Sequence, residues 1–242
     1  MLTMNFEHLG LRPGARVLDV GCGGGRHIRQ TRLIPGVVAV GLDLGEEEVR
    51  NTAKMLQELD EHPVAWGGAV PGAGPWMSSR GSVYALPFAD ESFDCVIISE
   101  VLEHLHEDDR ALQEISRVLK TGGVLAASVP REGPEALCWA LSKQYRNTPG
   151  GHIRIYRRKK LRKKLSHHGY DVFESHFAHA LHSPYWWLKC MFGPDNVNNP
   201  AVKLYHQLLV WDMMRRPVVT RAMEAMLVPF IGKSVVFYGI KS

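Results

Sequence analysis

The stretch Arg16 to Gly25, RVLDVGCGGG, constrains this chain more than any other. Arg16 to Val20 is a short apolar run of the kind that fills a buried strand. It carries one acidic residue, Asp19, and then breaks into four glycines within positions 21 to 25. Glycine has no Cβ and enters the positive-φ region freely, so this backbone can turn tightly and let a ligand lie against it. A strand that runs through a glycine loop into a helix places a nucleotide site at the carboxyl edge of an α/β sheet. The spacing is G-x-G-x-G, at Gly21, Gly23 and Gly25. A dinucleotide fingerprint would need glycine where Arg26 stands, and the G-K-[ST] ending of a P-loop is absent.

The pattern recurs downstream. Residues 37 to 43, VVAVGLD, read as a second buried strand ending in Asp43. A carboxylate there is placed for ribose hydroxyls, or for capping the helix EEEVRNTAKMLQELDE that follows. Phe93 to Ser99 is a third apolar strand. Asp108 to Gly123 has helical periodicity at Leu112, Ile115, Val118 and Leu119, with a Lys-Thr-Gly-Gly stop, and Val124 to Pro130 is another strand. Strands alternating with helices predict right-handed crossovers and a parallel sheet. The Gly-, Pro- and Ser-rich segment Gly67 to Ser82 lies where the third strand of the sheet should begin, which makes Phe93 to Ser99 the fourth, and is expected to be a mobile loop over the adenine side. Asp171 to Phe177 and Ser234 to Lys241 are expected as the sixth and seventh strands.

With VLDVGCGGG (17–25), GLDL (41–44), ALPFADESFDCVIISEVLEHL (85–105) and EISRVLKTGGVLAASVP (114–130), the chain resembles the class I S-adenosylmethionine-dependent methyltransferases of small-molecule type. That resemblance implies a Rossmann-like α/β fold: a seven-stranded, mostly parallel sheet with helices on both faces. Outside the resemblance, residues 179–233 read as a helical substrate-cap insertion between strands six and seven of a single domain over 1–242. The resemblance also implies S-adenosyl-L-methionine as cofactor, with S-adenosyl-L-homocysteine as product. Asp19, Gly21, Cys22, Gly23 and Gly25 would wrap its methionine part, Asp43 would bind the ribose, and Leu44 would pack beside the adenine. Ser82, next to Val83, stands where many relatives carry an Asp for the adenine amino group. Ser99, Glu100 and the residues to His104 would lie near the sulfonium and the acceptor.

Methyl transfer needs alignment, exclusion of water and at times a base. His104, beyond the fourth strand, and His152, where the chain returns over the site, are the candidate catalytic residues among 12 histidines. The plainer reading of His104 is a helix-initiating histidine that holds the loop, and that of His152 is a loop histidine bonded to backbone. Glu100 and Glu103 suit the methionine amino group, a cationic substrate, or solvated helix surface. His167 and His168 read as surface. His176, His179 and His182 are spaced by three, but no carboxylate or cysteine stands at ligand spacing, so no metal is expected.

A chain of 242 residues with 45% hydrophobic content can bury the core of one sizeable α/β domain. Cys22, Cys95, Cys138 and Cys190 show no zinc or C-x-x-C spacing, so reduced thiols and a cytoplasmic setting are expected. No signal peptide or membrane-spanning run is seen, and the short N-terminal segment leaves no room for a large lid. Seven of the eight residues from Arg157 to Lys164 are basic. With only Leu161 and Leu165 facing inward, they read as a helix lying on the sheet with a solvated basic face. The insertion carries Trp186, Trp187, Trp211 and five of the nine methionines. These read as its own core, or as an apolar substrate cap or membrane-facing surface.

The leading expectation is methyl transfer to a small, partly apolar metabolite of lipid, quinone, polyketide or glycolipid type. The alternatives are an RNA or protein methyltransferase using the basic 154–164 helix, and a non-catalytic S-adenosylmethionine binder at membranes. Nucleic acid is not an expected partner, because Ser99 to Leu102 replaces the N-P-P-Y type of loop and no second basic surface is evident.

Overall fold

The computed structural model describes residues 2–62 and 72–242. Seven strands form one sheet: β1 (Arg16–Val20), β2 (Val38–Asp43), β3 (Trp76–Arg80), β4 (Phe93–Ser99), β5 (Leu119–Pro130), β6 (Tyr170–Ala178) and β7 (Ser234–Lys241). Their order is β3-β2-β1-β4-β5-β7-β6. All neighbours pair in parallel except β7, which runs antiparallel to both β5 and β6. The order reverses between β1 and β4, and that reversal opens a crevice at the carboxyl ends of the two strands.

Alternation of side chains sorts the core onto two faces. Leu18, Val20, Val96, Ile98, Leu125 and Ala127 point to one face and pack under α3 (Asp108–Val118) and α6 (Arg158–His167). α3 contributes Leu112, Ile115 and Val118, and α6 contributes Leu161 and Leu165, as their spacing predicts. Val17, Cys95, Ile97 and Ala126 point to the other face, covered by Met4 and Leu9 of the N-terminal segment. Beside them α1 (Arg26–Arg32) and α2 (Glu46–Glu61) bury Ile28, Leu56 and Leu59 against Ala39.

Two expectations are corrected. The helix read over Asp108 to Gly123 stops at Val118, and β5 begins at Leu119, because Leu119 pairs with Phe93 before the register shifts. The loop expected over Gly67 to Ser82 contains edge strand β3, whose Trp76 to Arg80 pair with Ala39 to Asp43. Residues 67 to 71 of that stretch lie outside the described residues.

After β5 come α4 (Glu132–Leu141) and the short α5 (Lys143–Arg146), then the segment leading to α6. Between β6 and β7 the chain forms α7 (His182–Phe192), α8 (Pro200–Arg215) and α9 (Val218–Ile231). α7 packs against α4 and α8. The apolar residues of α8 and α9 do not form a core of their own. Met214, Val218 and Phe230 are 78%, 83% and 75% exposed, and only Val202, Leu209, Asp212 and Thr220 of these two helices are buried. All four cysteines are buried free thiols. No helix among the described residues is long and apolar enough to cross a membrane.

Candidate active site

The glycine loop is held from both sides. Gly21, Gly23 and Gly25 have φ of 70°, 49° and 76°, the left-handed region that glycine tolerates. Gly23 donates its N–H to Asp43 Oδ2 at 2.8 Å, and its carbonyl accepts from the Thr52 hydroxyl of α2 at 2.7 Å. Asp43 Oδ1 accepts from Gly45 N–H at 2.9 Å. Gly21 and Cys22 both donate to the Leu42 carbonyl. A Cβ on Gly21 would stand 2.4 Å from Val101 Cγ2, so the loop and the turn after β4 touch through a missing side chain.

Asp19 lies beneath this loop, 2% exposed. Burial raises its carboxyl to about 7, against the opposing charge of Arg26. Its Oδ2 has no hydrogen-bond partner. A buried oxygen left open beside a backbone without Cβ atoms fits a ligand that brings a polar end to the loop.

Above the sheet edge a cleft of about 550 Å³ is lined by Gly21, Asp43, Leu44, Ser82, Val83 and Glu100, and reaches His104 and Gly150. Its Ser82–Phe88 wall is anchored by Arg117 of α3, which donates to the carbonyls of Leu86 and Phe88 and to Glu114 and Asp90. Ser82 Oγ accepts from Tyr84 N–H at 3.2 Å. Of the expected cofactor residues, Gly21, Asp43, Leu44, Ser82, Val83 and Glu100 line this cleft. Asp19 and Cys22 are buried behind it, and Gly23 and Gly25 shape the loop. Ser99 is buried, with its hydroxyl 2.9 Å from that of Ser128 and accepting from Arg26 at 3.1 Å.

A second constellation closes the far end. After β4 a 3-10 turn spans Leu102–His104. The segment Gly150 to Tyr156 is clamped over it: Ile153 N–H donates to the Glu103 carbonyl, Arg154 pairs with Asp108 at 2.8 Å, and the Tyr156 hydroxyl donates to Asp108. This clamp brings His104 and His152, distant in sequence, to 4.9 Å between ring centroids. His104 Nδ1 faces the carbonyls of Gly150 and Gly151 at 2.9 and 3.1 Å, and His152 Nδ1 faces Glu135 Oε1 at 2.6 Å. Burial alone would raise the Glu135 carboxyl, but His152 outweighs it and holds it below the usual range.

Both Nε2 atoms point at Glu103 Oε1, each at 3.9 Å. Glu103 is fully buried, with neither oxygen hydrogen-bonded. Burial first, and the charge of Glu100 second, push its carboxyl well above the usual range. This excludes the solvated-surface reading of Glu103. Glu135 was missed altogether, because nothing local in the sequence of α4 marks it.

A smaller pocket of about 250 Å³ lies on the other side of Glu100, lined by Thr3, Arg26, Glu100, His179, His182, Trp186 and Lys233. Lys233 Nζ is 4.0 Å from Glu100 Oε2. Burial lowers His179 to about 2 and His182 to about 4, so both are neutral imidazoles at neutral pH. His176 is near them but stacks on Tyr238. His167 is exposed, whereas His168 bonds Asp109 at 2.8 Å.

A Rossmann-like sheet with a glycine loop under an acidic β2 terminus defines a nucleotide-type site at the switch point. Two family models, each described as a methyltransferase domain, match residues 18–127 and 79–177. A sterol 24-C-methyltransferase of Yarrowia lipolytica is 28% identical over 185 residues, covering 70% of this chain and 44% of that protein. The chain spans less than half the length of the leading curated relatives it matches. A putative methyltransferase from Bacillus halodurans superposes with TM-score 0.61 at 20% identity, covering 98% of this chain and 96% of that one. The [4+2]-cyclase SpnF superposes with TM-score 0.62 at 18% identity, covering 98% and 77%. Over residues 18–177 the chain matches methyltransferase-domain models, and its fold is that of the class I S-adenosylmethionine-dependent methyltransferases. The cofactor of that family is S-adenosylmethionine, and the open oxygen of Asp19 with the glycine loop suits it.

Proposed function

We propose that this chain transfers a methyl group from S-adenosylmethionine to a small, partly apolar acceptor. The observation that carries this reading is the continuity of the 550 Å³ cleft from Asp43 to His104. One end offers ribose-binding chemistry, and the other is lined by His104, with His152 and the buried Glu103 behind it. Asp43 would hold the ribose, and Leu44, Ser82 and Val83 would hold the adenine. Arg26, Lys233 and Glu100 in the adjoining pocket would complement the zwitterionic amino-acid end. The bound sulfonium supplies an electrophilic methyl group. The chain's task is then to align the acceptor, exclude water and take a proton.

His104, which lines the cleft, and His152, whose ring packs against that of His104, are the candidate residues at the acceptor end, with Glu135 and the Gly150–Gly151 carbonyls fixing their rings. α7 of the insertion supports a capping role. Its Trp186 lines the pocket beside Glu100 and lies 5.8 Å from the ring of Tyr145, which itself packs on His152. An apolar acceptor agrees with these rings, with the exposed apolar residues of α8 and α9, and with the sterol-acting relative. Those exposed residues stand beside exposed Lys203, Arg215 and Arg216, a combination suited to an anionic bilayer from which a lipid acceptor is drawn. The basic α6 helix gives no comparable support for nucleic acid: Lys164 is tied to Asp108 and Asp109, and Arg158 to Ser175.

The test is transfer of labelled methyl from S-adenosylmethionine into fractionated cell extract. Label in the organic-soluble small-molecule fraction supports the reading. Label confined to RNA or protein, or no transfer with any fraction, refutes it. The SpnF likeness makes cofactor binding without transfer a meaningful negative, since that protein with the same fold is a cyclase.

A further inference from the structure

Glu103, His104 and His152 present three bare acceptors to one another. Their ligand atoms lie within 4.8 Å of each other. The tautomers follow from the partners on the other ring nitrogens. The Gly150 and Gly151 carbonyls can only accept, so His104 carries its proton on Nδ1. Glu135 faces His152 Nδ1 with Oε1, which also accepts from Trp139 Nε1, while its other oxygen accepts from the Tyr145 hydroxyl, so Glu135 acts as an acceptor and the His152 proton lies on Nδ1 as well. Both Nε2 lone pairs therefore face Glu103 Oε1, a fully buried oxygen with no hydrogen-bond partner.

A proton on Glu103 would satisfy at most one of these atoms, and 3.9 Å is too long for a hydrogen bond to either imidazole. A cation satisfies all three. We propose that Glu103, His104 and His152 bind a divalent transition-metal ion, with Glu135 and the Gly150–Gly151 carbonyls orienting the two imidazoles.

The donor set selects the ion. Two imidazoles and one carboxylate with open positions suit Zn(II), Mn(II), Fe(II) or Co(II), whereas Mg(II) and Ca(II) favour all-oxygen shells. Metal–ligand bonds of ~2.1 Å need ligand atoms ~3–3.5 Å apart. The observed 3.9 Å separations close by small side-chain rotations. A ring hydrogen bond to a carboxylate or carbonyl is the usual support of a metal-bound histidine. The proposal departs from the metal-free expectation, which considered only His176, His179 and His182.

Location gives the ion a task, and this part rests on the methyl-transfer reading. His104 lines the cleft, so an acceptor held there would lie beside the ion. A hydroxyl or phenol oxygen bound there is acidified. The acceptor gives its proton to water, and its oxygen forms the O–CH₃ bond as the S–CH₃ bond of the donor breaks, leaving a neutral thioether.

The experiment is equilibrium dialysis of the full chain, stripped with chelator, against Zn(II), Mn(II) or Co(II) alone, with elemental analysis. Visible absorption of the Co(II) form reports ligand type. The expected result is one ion per chain, with affinity lowered at least 100-fold by E103Q and by H152A, and ~10–100-fold by E135Q. S-adenosylhomocysteine binding and melting temperature confirm that each variant is folded. Unchanged affinity in folded E103Q and H152A, or no stoichiometric ion in the wild type, overturns the proposal. The readout needs neither donor nor acceptor. Metal binding without S-adenosylhomocysteine binding would sink the methyl-transfer reading alone, and the reverse would sink the metal site alone.

Discussion

Asp43 closes the glycine loop: its Oδ2 accepts the Gly23 N–H at 2.8 Å while its Oδ1 accepts that of Gly45 at 2.9 Å. One carboxylate at the end of β2 thus shapes the loop and lines the cleft. D43A should weaken S-adenosylhomocysteine binding by more than 100-fold. D43N, which keeps one acceptor oxygen, should retain the fold by circular dichroism and lose less affinity. Equal affinity in wild type and D43A, by calorimetry, would separate Asp43 from the cofactor.

Gly21 lies at φ 70° with Val101 Cγ2 2.4 Å from where a Cβ would be. G21A should cost ~1–3 kcal/mol in urea unfolding through backbone strain and overlap. G21A/V101A should recover only the overlap part, because the φ penalty remains. Full recovery would show that the backbone is not strained there.

Asp19 is the acid whose burial opposes its charge. Its value is 3.8 unfolded and about 7 folded, so the fold favours the protonated form. Stability is therefore full below about pH 4, falls as pH rises through 3.8 towards 7, and the penalty is complete above that. D19N removes a penalty on the order of a few kcal/mol. Its melting temperature should exceed that of wild type at pH 8 and match it at pH 4. A uniform shift at both pH values would contradict the burial argument.

Asp108 shows the opposite sign. Burial opposes its ionisation, but Tyr156, Lys164 and Arg154 outweigh it and hold the carboxyl below 3.8. Its contribution is present above that value and is lost as pH falls through the depressed one. D108N should destabilise by ~3–5 kcal/mol at pH 7, because it leaves charged partners behind. It should also loosen the segment that places His152, with hydrogen exchange rising across residues 150–156. Protection unchanged there would show that the clamp does not depend on this carboxylate.

Trp186 separates capping from cofactor binding. W186A should raise the KM for the acceptor by a larger factor than it weakens S-adenosylhomocysteine, because Trp186 borders only the amino-acid end of the cofactor site. For the exposed α8–α9 face, flotation with anionic vesicles should retain the wild type and lose R215E/R216E. Equal flotation of both proteins would remove the bilayer from the account.

The elements legible in the sequence are those whose burial is continuous. β1, β4 and β7 are apolar runs, because parallel or central strands are covered on both faces. β3 was hidden because WMSSR at the sheet edge buries little and follows a Gly- and Pro-rich stretch. The start of β5 was misplaced because Lys120–Gly123 has the composition of a helix stop yet extends in the strand. The positions of Asp19, the glycines and Asp43 at strand termini are legible from spacing, whereas the cofactor roles assigned to them come from the resemblance. At the acid–imidazole end His104 and His152 stand out as candidates in the sequence, but the role of Glu103 stays open there and Glu135 goes unmarked. Glu103 and His104 are adjacent, but His152 and Glu135 reach them only through the Asp108 clamp and the packing of α4.

Calorimetric titration of the full chain with S-adenosylhomocysteine tests the central claim most directly. The expected result is a single site of micromolar affinity, present in wild type and abolished in folded D43A. No heat and no thermal stabilisation at millimolar ligand would contradict it.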